Sequence, residues 1–65
     1  MPNPSIEMEF EYAYNCWKAK KQFDDETAKS LKMCMNRTAG SEIDKAANAY
    51  PVSFLNYIDK RIREV

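Results

Sequence analysis

The segment from Ile6 to Cys16 alternates apolar and polar residues, and its interpretation decides the fold class. A period of two is typical of a half-buried strand. The same residues are also compatible with a helix, because Glu, Met, Ala and Lys favour that structure. A strand would need a second strand to pair with, and the rest of the chain does not supply one. We therefore predict a helix here, with a strand over residues 6–16 as the alternative.

As a helix, this segment carries two apolar stripes. The first stripe comprises Ile6, Phe10, Ala13 and Trp17, with Tyr14 at its edge; the second stripe comprises Met8, Tyr12, Cys16, Ala19 and Phe23. A helix on the surface of a globular domain needs only one apolar arc. The surplus stripe therefore predicts an exposed contact surface. The alternative is a compact four-helix arrangement that covers both stripes.

Further helices are expected downstream. Asp24 or Asp25 is placed to cap the second helix, and Gly40, the only glycine in the chain, is expected to end it in a left-handed conformation. Ser41 is expected to cap the third helix, and the fourth is expected to begin near Val52 or the next residue.

The fourth helix is expected to direct Phe54 or Leu55 towards the core. The predicted fold class is thus all-α, a small bundle of three to four helices completed by self-association. Residues 1–65 are expected to form a single helical domain with residues 1–5 as a flexible N-terminus, and Asn3-Pro4-Ser5 within that segment is typical of a helix start.

The size of the chain limits its stability. A domain of 65 residues buries only about 60% of the surface that its unfolded form exposes. Cys16 and Cys34, with no histidine in the chain, cannot complete a four-ligand zinc site, and we interpret them as reduced, small core side chains. No run approaches the ~20 apolar residues that span a bilayer. We therefore expect a cytoplasmic protein that has no membrane segment and forms a homo-oligomer.

Catalysis is not expected, because the chain has no histidine base and both cysteines lie in the middle of predicted helices, whereas a reactive thiol needs a lysine or a helix N-terminus beside it. A single glycine also excludes a glycine-rich phosphate loop. No cofactor and no metal are expected. These features favour a protein–protein interaction module, a small regulator, inhibitor or adaptor of the kind that phages and mobile elements encode. It would dock on another protein through the first helix, with Met8, Tyr12, Trp17 and Phe23 as contact residues.

A competing hypothesis is DNA binding, and one pattern for it is a family resemblance. The residues that carry it in one helix are Ser41, Glu42, Ile43, Ala46 and Tyr50. This pattern resembles the second helix of ribbon-helix-helix repressors, and the stretch 23–31 resembles their first helix. The resemblance implies a dimeric DNA-binding transcriptional regulator, with Lys18, Lys20 and Gln22 on the ribbon that reads DNA. The acidic, aromatic extension that precedes the ribbon departs from the family pattern and would repel phosphate.

The other DNA pattern is a helix-turn-helix made of the third helix, the turn 48–51 and the fourth helix. The contacts to bases and phosphates would come from Ser53, Asn56, Lys60, Arg61 and Arg63. Ten basic residues balance ten acidic residues in the whole chain. A dedicated nucleic-acid binder usually has a basic excess, so this balance counts against both DNA hypotheses.

Overall fold

The alternating segment is α-helical. The computed structural model describes residues 5–65, and within that range the chain forms four helices and no strand. The helices are α1 (Ile6–Lys20), α2 (Asp25–Arg37), α3 (Gly40–Ala47) and α4 (Val52–Glu64). The predicted all-α bundle is therefore confirmed. None of the four helices is both long and apolar enough to cross a membrane.

The ends of α1 are set by local hydrogen bonds. Ser5 caps its start, since the Ser5 side chain accepts a hydrogen bond from the Met8 N–H at 3.3 Å. The helix start predicted at Asn3-Pro4-Ser5 lies outside the described residues for Asn3 and Pro4, whereas Ser5 is extended and the helix begins one residue later, at Ile6. At the other end, Lys21 adopts a left-handed φ of 59° and its N–H donates to the Trp17 carbonyl. This reversal directs the chain from α1 back towards α2.

The start of α2 follows the prediction. The Asp24 carboxylate accepts a hydrogen bond from the Thr27 N–H at 2.9 Å, which is the geometry of a helix cap. The hydrogen bonds from Thr27 lower the pKa of Asp24. Asp25 and Glu26 fill the first turn, where carboxylates suit the positive end of the helix dipole.

The link between α2 and α3 differs from the prediction. Gly40 does not adopt a positive φ and does not end α2; it is the first residue of α3. Thr38 and Ala39 are extended and form the link, while the Thr38 hydroxyl donates to the Cys34 carbonyl at 2.7 Å. That bond satisfies one of the terminal carbonyls that a left-handed glycine motif would otherwise satisfy. Ser41 lies inside α3 and does not cap it, because Ala39 occupies the capping position without a side-chain bond.

Replacing Gly40 with alanine should therefore stabilise the protein. A β-carbon at position 40 would have no atom within 4 Å other than those of its chain neighbours and of the adjacent α3 backbone, and the residue is already helical. Alanine loses less chain entropy on folding, so we expect the free energy of unfolding to rise by about 0.5 kcal/mol in a urea titration. Gly40→Asn is the matched control, because asparagine tolerates the left-handed region better than alanine and favours helix less. A ranking with asparagine above alanine would contradict the helical position of Gly40.

The core is formed by one face of each helix. The first stripe of α1 meets buried side chains of the other helices and of the α1–α2 turn, which are Phe23, Ala28, Leu31, Ala46, Phe54 and Ile58. α1 packs against α2 and α3, and α2 packs against α4. Phe10, Leu31 and Phe54 are the largest side chains that are completely buried. The side of α1 that faces α2 and α3 is thus fixed by this core.

Candidate interaction surface

The first stripe of α1 is the one that the fold buries. Ile6 is 6% exposed, Phe10 1% and Ala13 0%. Trp17 is half-buried, and its ring centroid lies 5.4 Å from that of Phe54. The first stripe is therefore the core face of the helix.

The second stripe stays largely open. Met8 is 62% exposed and Tyr12 61%, and Ala19 is also exposed. At 100° per residue, Ala19 lies about 180° around the helix from Phe10, so this part of the stripe faces away from the core. Cys16 is half-buried, and Phe23, beyond the end of α1, is buried. The surplus apolar surface predicted from the sequence is thus centred on Met8 and Tyr12.

Two depressions lie beside the second stripe, between α1 and the start of α2. The larger has a volume of about 720 Å³ and includes Cys16, Ala19 and Phe23 in its wall. The smaller, of about 390 Å³, includes Met8 and Glu26. Tyr12, Asp24 and Thr27 border both depressions. The phenol ring of Tyr12 therefore stands between two concave areas, and α2 contributes part of the wall of each.

The four predicted contact residues do not lie together. Met8 and Tyr12 share the open face, whereas Trp17 stacks on Tyr14 with ring centroids 6.0 Å apart. The ring centroids of Phe23 and Tyr57 lie 5.0 Å apart, and the Phe23 N–H donates to the Tyr57 hydroxyl at 3.3 Å. Trp17 and Phe23 are therefore engaged in contacts within the chain. A role in binding stays a prediction, and the geometry leaves Met8 and Tyr12 available for it.

Charged side chains flank the open face in a fixed order. At 100° per residue, Glu9 and Lys20 lie within about 20° of each other on one flank, and Glu11 and Lys18 do so on the other flank. Both carboxylates belong to the first half of α1 and both lysines to its second half. Glu9 accepts from the Ser30 hydroxyl at 3.2 Å, which places its flank beside α2, and Lys18 Nζ lies 4.9 Å from the Tyr14 ring centroid. This order of charges follows from the helical periodicity of α1 and could have been predicted from the sequence alone.

The ribbon expected for DNA reading is absent from the described residues. Lys18 and Lys20 lie in the last turn of α1, and Gln22 lies in the turn that follows. A helix here leaves no strand to enter a groove as the family resemblance implies. The prediction of a ribbon is therefore wrong for these residues.

The helix-turn-helix candidates on α4 separate into two groups. Ser53, Asn56, Lys60 and Arg63 are exposed, and Arg63 pairs with Asp59 at 3.0 Å. Arg61 is only 16% exposed in its side chain, where Nη2 lies 2.6 Å from an Asp25 carboxylate oxygen and 3.3 Å from the Phe23 carbonyl. The hydrogen bond to Asp25 raises the pKa of Arg61 above its usual value. Arg61 therefore joins α4 to the start of α2 and does not point outwards as a contact residue.

Replacing Arg61 with methionine should destabilise the fold. The variant keeps the apolar stem and loses the ion pair with Asp25 and the bond to the Phe23 carbonyl. Hydrogen bonds to charged groups contribute about 1.5–3 kcal/mol, so we expect a loss of about 2 kcal/mol in chemical denaturation. Arg63→Met is the matched control, because its exposed pair with Asp59 should contribute only about 0.3–0.5 kcal/mol. Equal losses in the two variants would show that the contacts of Arg61 with Asp25 and with the Phe23 carbonyl do not stabilise the fold.

The described residues were also compared with the requirements of a metal site. Within residues 5–65 no group of three or more His, Cys, Asp or Glu side chains is arranged to hold a metal ion. Burial, followed by the nearby charges of Glu11 and Glu7, raises the pKa of Tyr50, whose ring contacts Phe10 and Phe54.

Comparison with models of known protein families, with curated proteins and with solved structures finds no match for this chain.

Proposed function

We propose that this chain is a non-enzymatic protein–protein interaction module, a small regulator, inhibitor or adaptor that docks on another protein through the second stripe of α1. The observation that carries the proposal is the exposure of Met8 and Tyr12 on the face of α1 opposite the core. Tyrosine and methionine are enriched in the buried centres of protein interfaces. Covering two such side chains would remove apolar surface from water, which is the main favourable term in association.

The shape and charge of the surface indicate what the partner presents. The stripe is linear and follows a helix of 15 residues, so a second amphipathic helix can lie along it with apolar residues towards Met8 and Tyr12. Such a helix needs cations opposite Glu9 and Glu11, and carboxylates opposite the two lysines of the second half of α1. Complementary charges of this kind set orientation and exclude wrong partners more than they add affinity.

Protein binding is favoured over DNA binding by the distribution of charge. The face of α1 carries as many carboxylates as lysines, whereas DNA affinity depends on several cations that neutralise phosphates. On α4, Arg61 is engaged with Asp25, and Arg63 pairs with Asp59. This leaves Lys60 as the exposed cation of the proposed α4 reader that no described ion pair engages.

Site-specific photo-crosslinking tests the proposal. Tyr12 is replaced by the photoreactive p-benzoylphenylalanine in the full chain, which is then irradiated in the cells that produce it. We expect a protein adduct at position 12 that disappears when Met8→Lys is added, because a buried ammonium would oppose docking. The matched control carries the same photoreactive residue at Asn56, an exposed position on α4, and should give no such adduct.

The partner found in this way then needs quantitative confirmation. With the purified partner, Tyr12→Lys should raise Kd at least about tenfold, the loss typical of a contact residue worth 1.4 kcal/mol. Nucleic-acid adducts at position 56 with none of any kind at position 12 would overturn the proposal in favour of a DNA-binding regulator.

A further inference from the structure

We infer that the second stripe of α1 also binds the second stripe of another copy of this chain, with the two α1 helices antiparallel around a twofold axis. The inference rests on the interaction surface of the proposed function and names one occupant for it. What carries it is the order of charges on the two flanks of the stripe, together with the shape of the surface between them.

The charges of α1 are complementary to themselves in an antiparallel pair. A twofold axis level with the midpoint between Tyr14 and Asn15 places Glu9 opposite Lys20 of the partner subunit. The same axis places Glu11 opposite Lys18 of the partner subunit. In antiparallel helix pairs each flank meets the same flank of the other helix, and Glu9 and Lys20 share one flank while Glu11 and Lys18 share the other. Each of these pairs occurs twice by symmetry, so this one position of the axis gives two opposite-charge pairs on each flank.

In a parallel pair of α1 helices the flanking charges would repel each other. In a parallel pair each flank meets the opposite flank of the other helix, which would set Glu9 beside Glu11 of the partner subunit and Lys20 beside Lys18 of the partner subunit. Like charges in such positions are unfavourable, and this repulsion selects the antiparallel arrangement. The whole chain has no net charge that would oppose the approach of two copies.

The shape of the surface agrees with the same axis. Tyr12 falls level with the space between Cys16 and Ala19 of the partner subunit, and Met8 falls level with the end of the partner subunit's α1, where the chain turns towards α2. Cys16, Ala19 and Phe23 border the depression of about 720 Å³. The projecting half of one stripe therefore meets the concave half of the other, twice, as knobs of one helix enter spaces of its neighbour.

The flanking side chains can reach a second copy from where they lie. Glu11, Lys18 and Lys20 are exposed, and Glu9 is half-buried. The Ser30 hydroxyl bonds the Glu9 carboxylate, which can accept several hydrogen bonds at once. Lys18 covers the Tyr14 ring on the solvent side, and its flexible stem allows another position.

Sedimentation equilibrium on four samples of the full chain tests the inference. They are the wild type, Glu9→Lys with Glu11→Lys, Lys18→Glu with Lys20→Glu, and an equimolar mixture of the two double variants. We expect the wild type to rise from the 7.6 kDa monomer towards twice that mass with increasing concentration. Each double variant should lose at least tenfold in self-affinity, because every flanking pair becomes repulsive. The mixture should recover a heterodimer, since all four pairs are then again attractive, and salt should weaken that heterodimer.

A matched control distinguishes the effect of the charge positions on α1 from the effect of a changed net charge. Glu42→Lys with Asp44→Lys makes the same change of charge on exposed positions of α3 and should leave the self-affinity unchanged. Circular dichroism on each variant verifies that it keeps the helical fold. If the mixture of double variants fails to associate, or if each double variant dimerises like the wild type, the antiparallel pairing is wrong.

The two proposals can fail separately. A wild type that stays monomeric up to millimolar concentration overturns the pairing of two copies. A crosslink from position 12 to a different protein would still support the proposed function in that case. Conversely, recovery of the heterodimer by charge exchange supports the pairing even if every adduct at position 12 has the mass of two copies of this chain, which would overturn docking on a different protein.

Discussion

Replacing Phe54 with alanine is expected to unfold most of the protein at room temperature. The Phe54 side chain is 0% exposed, and its ring lies 5.0 Å from that of Tyr14, 5.4 Å from Trp17 and 5.5 Å from Tyr50. Phe→Ala changes in protein cores cost about 3–5 kcal/mol. The single core of a chain shorter than about 70 residues rarely supplies more than about 3–5 kcal/mol of stability, so the loss removes most or all of it. Thermal melts followed by circular dichroism measure the effect.

The neighbouring residue provides the control for Phe54. Leu55 is half-buried at the edge of the core, so Leu55→Ala should leave a folded chain with a smaller loss of stability. The two variants also decide which of these residues faces the core, a choice that the sequence pattern left open. A Phe54→Ala variant that melts within a few degrees of the wild type would contradict the central position of this ring.

The second large effect is a difference between two aromatic residues of the same stripe. Phe23→Ala should lower the free energy of unfolding by about 3 kcal/mol, because Phe23 is 6% exposed and its ring packs on Tyr57. Tyr12→Ala should change it by no more than about 0.5 kcal/mol, because Tyr12 is 61% exposed. Both residues were predicted as contact residues, and the structure separates their roles.

Chemical denaturation at low micromolar concentration measures this difference, since association then contributes little to stability. Fluorescence of Trp17 reports unfolding in both variants without a further change of sequence. A Tyr12→Ala variant as unstable as Phe23→Ala would mean that the second stripe belongs to the core of the single chain.

The fold class could be predicted because one physical argument decided it. A strand over residues 6–16 would have had no second strand to pair with, and the structure is helical there. Which stripe of α1 is buried could not be predicted, because both contain aromatic and small residues in similar proportion. That choice is made by long-range packing against α2, α3 and Phe54 of α4, which no local pattern encodes.

Gly40 and Arg61 show two other limits of the sequence. The pattern around Gly40 is typical of a left-handed helix end, but the Thr38 hydroxyl bonds the Cys34 carbonyl and two extended residues complete the link. Arg61 belongs to a cationic helix end, which usually faces solvent. It also follows Phe54 and Ile58 at helical spacing, and this signal could have placed it on the packed side of α4.

The crosslinking experiment at positions 12 and 56 tests most directly whether the open second stripe of α1 contacts another protein. We expect protein adducts from position 12, their loss when Met8→Lys is added, and none from position 56 on α4. Nucleic-acid adducts from position 56 together with no adduct from position 12 would contradict it.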